Sequence, residues 1–149
     1  MTSLLNIATI LSIGLMIGTE FAVAAFINPI LSQFDDRTRV AAIRRFAAKL
    51  GFVMPFWYGL GLLLLIAETI LHRHQPQFPL LGAAVAIWVA VIVLTLLFLV
   101  PINNRMAQLS PDAPAGDALA QHKKWDSMHR LRIAALTTAM VLFLIGIHV

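Results

Sequence analysis

Residues 4–31 read LLNIATILSIGLMIGTEFAVAAFINPIL, an apolar run interrupted past its midpoint by one carboxylate, Glu20. About 20 mostly apolar residues carry a helix across the ~30 Å hydrocarbon core of a bilayer, so Leu4–Leu31 is predicted to span a membrane. Gly51–Leu71, Pro79–Val100 and Ile133–Val149 have the same character. A charge at mid-bilayer costs at least about 2.5–3.5 kcal/mol unless it finds a partner. Glu20 is therefore the first residue for which a structural or functional reason must be found.

Working outward, 60% of the 149 residues are hydrophobic, 12% are charged, and the mean hydropathy is +0.86. A soluble domain of this size has too little interior to hide so much apolar surface. The expected architecture is all-α: one integral membrane four-helix bundle over residues 1–149, up-down-up-down. Its helices are expected at about 3–33, 38–73, 79–107 and 118–148. Cysteine is absent, which excludes disulfides, thiolate metal sites and redox dithiols. The first span lacks a basic leader and is too long for a signal peptide, so it reads as a retained helix.

Eleven Lys and Arg residues give a sequence pI of 10.4, but they flank apolar spans and so report orientation, not a nucleic-acid partner. Arg37, Arg39, Arg44, Arg45 and Lys49 follow span 1; Arg105, Lys123, Lys124, Arg130 and Arg132 follow span 3; Arg73 alone lies between spans 2 and 3. The positive-inside rule places both basic regions in the cytoplasm and both termini outside it.

Prolines punctuate the chain. Pro55 is a candidate bend in the second helix, Pro76 and Pro79 mark an outer turn, and Pro111 and Pro114 mark a cytoplasmic loop. Phe26-Ile27-Asn28-Pro29 and Val100-Pro101-Ile102-Asn103 close spans 1 and 3 in similar fashion. A duplicated helical hairpin and a shared helix-end chemistry both account for that echo. Gly14 and Gly18 read as a helix-packing seam.

A rise of ~1.5 Å per residue, counted from the outer helix ends, puts Glu20 and Arg132 each ~24 Å deep and His129 ~28 Å deep. Asn28, Asn103, Lys49 and Trp125 fall at ~34–36 Å, near the cytoplasmic edge. His122, Trp125, His129 and Arg132 share one face of the fourth helix by their spacing. The candidate catalytic residues are Glu20, His129 and Arg132. Asn28, Asn103, Asn104 and Trp125 are the candidate substrate-binding residues. Each has a plainer reading: an ion pair that fixes helix register, a histidine bonded to Asn103 or Asn104, a headgroup-level tryptophan, asparagines that cap helix ends. Glu68, His72, His74 and His148 form a second, outer cluster of metal-ligating types, against which stands the usual solvation of histidines in turns and at termini.

Gly14-Leu-Met-Ile-Gly18-Thr-Glu20, Met54-Pro55-Phe56-Trp57-Tyr58, Pro101-Ile-Asn103-Asn104-Arg105 and Trp125-Asp-Ser-Met-His129-Arg-Leu-Arg132 occur in that order. Together they resemble the family of small four-helix membrane proteins that includes the anthrone oxygenases, over nearly the whole chain. In one bacterial branch of that family the position before the first-helix proline is often His; here it is Asn28, which counts against a metal ligand at that point. The resemblance implies a four-helix bundle in a bacterial inner (cytoplasmic) membrane and an oxygenase acting on a phenolic or quinone-like lipophile. It implies a base, His129 or Glu20, with Arg132 and Asn103 stabilising an enolate oxygen, and Trp125 and Phe26 walling an aromatic substrate. The cofactor is then none or a single transition metal. Expected partners are membrane lipid and a lipophilic small molecule, with a homo-oligomer possible and no nucleic acid. A non-enzymatic binder of a lipophile or metal ion, and a structural or accessory subunit, remain as alternatives.

Overall fold

The computed structural model describes residues 2–110 and 115–148, all of the regular structure among them helical. Four rods make up the molecule. Helix α1 comprises Thr2–Ala22, a π turn at Val23–Ile27 and a last turn at Asn28–Leu31; α2 is Asp36–Leu71. Helix α3 comprises Phe78–Leu94, a π turn at Thr95–Leu99 and Val100–Ala107; α4 is Ala115–Gly146. The cytoplasmic loop read at Pro111 and Pro114 falls outside the described residues.

Cross-helix contacts show that neighbouring rods alternate in direction. Thr9 meets Glu68 and Glu20 meets Tyr58 across α1 and α2. Gly61 abuts Trp88 and Gly51 abuts Asn103 across α2 and α3, while Leu81 abuts Gly146 across α3 and α4. The basic residues collect at the end formed by the α1–α2 turn and the end of α3, termed the basic end below. Asp35 caps α2 there by accepting the Thr38 N–H at 3.0 Å, and that bond holds its carboxyl below the usual aspartate range.

All four rods are long and apolar enough to cross a membrane, and the chain is a multi-pass membrane protein. The large apolar side chains that face outward support this: Leu4, Leu15, Phe52, Phe56, Leu63 and Leu131 are all exposed. In water each would forgo about 1.5–3 kcal/mol of burial energy; in hydrocarbon that deficit disappears. Gly14 and Gly18 lie on this outward surface, and a Cβ at either would touch nothing. They are not a seam within the described chain.

Each π turn has a cause in sequence. Asn28 donates its backbone N–H five residues back to Val23, and Val100 does the same to Thr95; a proline follows each. Proline has no N–H and clashes with the carbonyl four residues before it, so the helix widens by one residue and passes the obstruction. The carbonyls of Ala24 and Leu96 thereby lose their helix-internal donors. Pro55, by contrast, lies on the exposed side of an α2 that continues through it.

The interior is divided. Ile13, Met16, Leu65, Leu81, Trp88, Leu136 and Phe143 pack into an apolar core away from the basic end. Leu31, Ile43, Ala47 and Met106 form a smaller apolar plug at the basic end. Between the two lie Glu20, His129, Arg132 and a cavity.

Candidate functional site

Glu20 projects from α1 one residue-turn before the π turn and is 3% exposed. Its carboxylate gathers three partners from two other helices. Arg132 Nη2 donates to Oε2 at 2.6 Å, His129 Nδ1 lies 2.9 Å from the same oxygen, and the Tyr58 hydroxyl donates to Oε1 at 3.0 Å. The spacing of Glu20, His129 and Arg132 in sequence becomes one cluster because α4 runs antiparallel to the third rod and beside the first.

The ring of His129 is fixed at both nitrogens. Nε2 lies 3.1 Å from the backbone carbonyl of Glu20, which can only accept, so Nε2 carries a hydrogen. Nδ1 faces Glu20 Oε2 and Arg132 Nη2, each at 2.9 Å. One proton therefore has two competing seats, the carboxylate oxygen and Nδ1. Trp125 stacks on the His129 ring at 4.5 Å, and the Arg132 guanidinium lies over the faces of Tyr58 and Trp125. Trp88, fully buried, holds the Tyr58 backbone through its indole N–H at 3.1 Å.

A cavity of about 310 Å³ adjoins this cluster and draws lining from all four rods, mostly apolar, with Glu20, Tyr58, Asn103, Trp125, His129 and Arg132 among its polar and aromatic groups. That volume is at the lower end of the ~300–1,000 Å³ usual for small-molecule pockets. Two polar groups on its wall are buried and have no partner among the described residues: the Thr95 hydroxyl and the Nε–H of Arg132. Thr19, Thr69 and Thr138 all spend their hydroxyls on the carbonyl one turn back; Thr95, at the mouth of a π turn, does not. Buried polar groups are nearly always paired, so these two stand out as unmatched donors on the cavity wall.

The other residues singled out from sequence are dispersed around this centre. Asn104 also lines the cavity but is exposed. Asn103 is tied to α2 by donating to the Ala47 carbonyl at 2.9 Å. Asn28 instead donates to Asp126, outside the main cavity, and lines a second cavity of about 30 Å³ with His122 and Trp125. Asp126 in turn pairs with Arg130 at 3.0 Å, and Arg130 donates to the Ala24 carbonyl that the π turn released. Phe26 points outward against Phe21 and is no part of the wall, contrary to the expectation for it. Tyr58 and Thr95 were missed; the signals were the chain's single tyrosine inside an apolar span and a threonine inside another, six positions before a proline.

The outer cluster does not assemble. Glu68 is fully buried and receives the Thr9 hydroxyl, with His72 Nδ1 3.8 Å from its carboxylate. His74 turns to Arg73, and His148 folds back on the Leu144 carbonyl. Among the described residues no three side chains of metal-ligating type stand close enough to hold an ion.

In comparison with known families, the family model for anthrone oxygenase matches residues 45–142, from α2 to the far part of α4. It takes in Tyr58, Thr95, Asn103, Trp125, His129 and Arg132 and leaves Glu20 outside. Neither the curated proteins nor the solved structures yield a match. With about two-thirds of its length matched and with the all-helical fold already described, the chain belongs to the anthrone oxygenase family.

Proposed function

We propose that this protein is a membrane oxygenase that removes a proton from a lipophilic, phenolic carbon acid and lets the resulting enolate react with O₂. The observation that carries this reading is the Glu20–His129 contact on the cavity wall, where one proton has two seats beside two unpartnered hydrogen-bond donors. Glu20 is the base and His129 the group that receives its proton, because Nε2 holds a hydrogen against the Glu20 carbonyl and Nδ1 faces the Glu20 carboxylate. The proton taken by the carboxylate passes across 2.9 Å to Nδ1, and the imidazolium so formed keeps its Nε2–H on the Glu20 carbonyl. Arg132 Nε–H and the Thr95 hydroxyl stabilise the developing oxyanion, a role for preorganised donors in a water-poor site. Asn103, anchored on α2, shapes the pocket end instead.

For an anthrone the balance closes without an outside reductant. The CH₂ carbon gains one oxygen atom as a carbonyl, the second oxygen leaves as water, and the four electrons come from that carbon. The test is oxygen uptake by purified protein with 1,8-dihydroxyanthrone under ¹⁸O₂. One O₂ per quinone formed, one labelled atom in the product and a rate above spontaneous autoxidation are expected. Tight binding with no added uptake would replace the oxygenase by a lipophile-binding protein.

The site is proposed to lie in the cytoplasmic half of a bacterial inner membrane, with both termini outside the cytoplasm, on the strength of the basic end. Single cysteines at positions 74 and 124, in a chain that has none of its own, should label with an impermeant maleimide in whole cells at 74 only. Labelling at 124 only would invert the orientation.

A further inference from the structure

The cavity has a side door, and its position follows from which lining residues also reach the surface. Four do: Gly51 and Pro55 on α2, and Leu96 and Asn104 on α3. No lining residue on α1 or α4 is exposed. Helix α3 packs closely on α2 through Phe78–Leu94 and again through Val100–Ala107, and parts from it along the π turn Thr95–Leu99 between them. On the facing side of that gap α2 presents Gly51, Pro55 and Gly59, four residues apart and so on one face, with no side chain longer than a proline ring.

The surroundings of this gap are hydrocarbon in character. Phe52 and Phe56 flank it on α2, Leu97 and Phe98 on α3, all exposed. Toward the basic end the buried cluster of Leu31, Ile43, Ala47 and Met106 packs beyond the cavity, and none of the four lines it. We infer that the cavity takes its ligand sideways out of the bilayer, through a mouth between α2 and α3 opened by the α3 π turn, and that Gly51, Pro55 and Gly59 set the size of what passes. The ligand class is a flat, membrane-dissolved molecule with its polar oxygen at one end, entering so that this end reaches Arg132 and Thr95. The mouth also offers such a ligand two carbonyls freed from the helix ladder, those of Leu96 and of Gly51, four residues before Pro55. This inference rests on the cavity alone and stands whatever reaction follows.

The test uses 4-bromobiphenyl, a flat lipophile that quenches indole on contact and undergoes no turnover. In nanodiscs it should quench a component of tryptophan fluorescence that is missing from Trp125→Phe, the indole on the cavity wall. Gly59→Phe should slow that quenching at least tenfold; a Cβ at Gly59 meets nothing within 4 Å, so the ring has room to fold into the mouth. As an independent plug, Leu96→Cys alkylated with N-phenylmaleimide should slow it likewise, whereas the same label on Leu15→Cys, outward on α1, should not. Quenching that is absent, or that proceeds equally fast past both plugs, or that slows as much with the label on position 15, would overturn the side entry. Failure of 1,8-dihydroxyanthrone turnover would leave it standing and would count against the oxygenase reading alone.

Discussion

Glu20→Gln is expected to lower turnover of 1,8-dihydroxyanthrone by about 10²–10⁴-fold, the range for loss of a positioned general base. The substitution preserves size and leaves one amide oxygen to accept from Arg132 or Tyr58, but it removes the carboxylate proposed to take the substrate proton. Binding of the quinone product, which has no proton to give, should change little. Tyr58→Phe removes a donor to the same carboxylate and should have a far smaller effect. A Glu20→Gln protein that turns over at the wild-type rate would move the base elsewhere or remove it.

The second large effect concerns stability. Arg132→Ala is expected to cost about 3–5 kcal/mol, because it leaves a buried carboxylate without its strongest partner. Arg132 is 11% exposed at the side chain and bonds Glu20 at 2.6 Å. Arg130, two positions earlier, is 56% exposed and pairs with Asp126 and the Ala24 carbonyl. Its replacement by alanine should cost no more than about 1–2 kcal/mol, one exposed pair and one hydrogen bond. Reversible unfolding of both variants in mixed micelles compares them directly, and equal losses would show that the Glu20–Arg132 pair does not hold the bundle.

Much of the fold was legible because hydrophobic length alone identifies membrane spans, and the partners of Glu20 were legible because ionisable groups inside such spans are few. Depth counted along straight helices brought Glu20 level with Arg132, and the two indeed bond. The same counting failed where the helix was not straight. A π turn adds a residue, which turns the following side chains by about 100° relative to a 3.6-residue repeat. Phe26 lies inside such a turn and faces out instead of in. Thr95 opens the other one, and its hydroxyl, unlike those of Thr19, Thr69 and Thr138, does not turn back to the carbonyl one turn before it. Asn28 was given a place in the main pocket, but the partner that draws it away is Asp126, an acid one turn ahead of Arg130 to which the sequence alone assigned no role. The outer histidines failed for a simpler reason: proximity in sequence put His74 in an exposed turn, where a neighbouring arginine satisfies it.

The two prolines also give the internal echo a physical content. Pro29 and Pro101 each sit two residues past a π turn, and each turn faces the site: the first releases the Ala24 carbonyl to Arg130, the second opens the mouth beside Thr95. One local rule, a proline forcing the helix to widen, thus accounts for a packing contact in α1 and for access in α3.

The central claim is that Glu20 ionises a ligand held in the cavity. The most direct measurement is the absorption spectrum of 1,8-dihydroxyanthrone bound to the protein in the strict absence of O₂. The wild type should show the red-shifted band of the enolate, which decays to quinone when oxygen is admitted, while Glu20→Gln should show the neutral ketone. A neutral ketone spectrum in the wild type, with binding demonstrated, would contradict it.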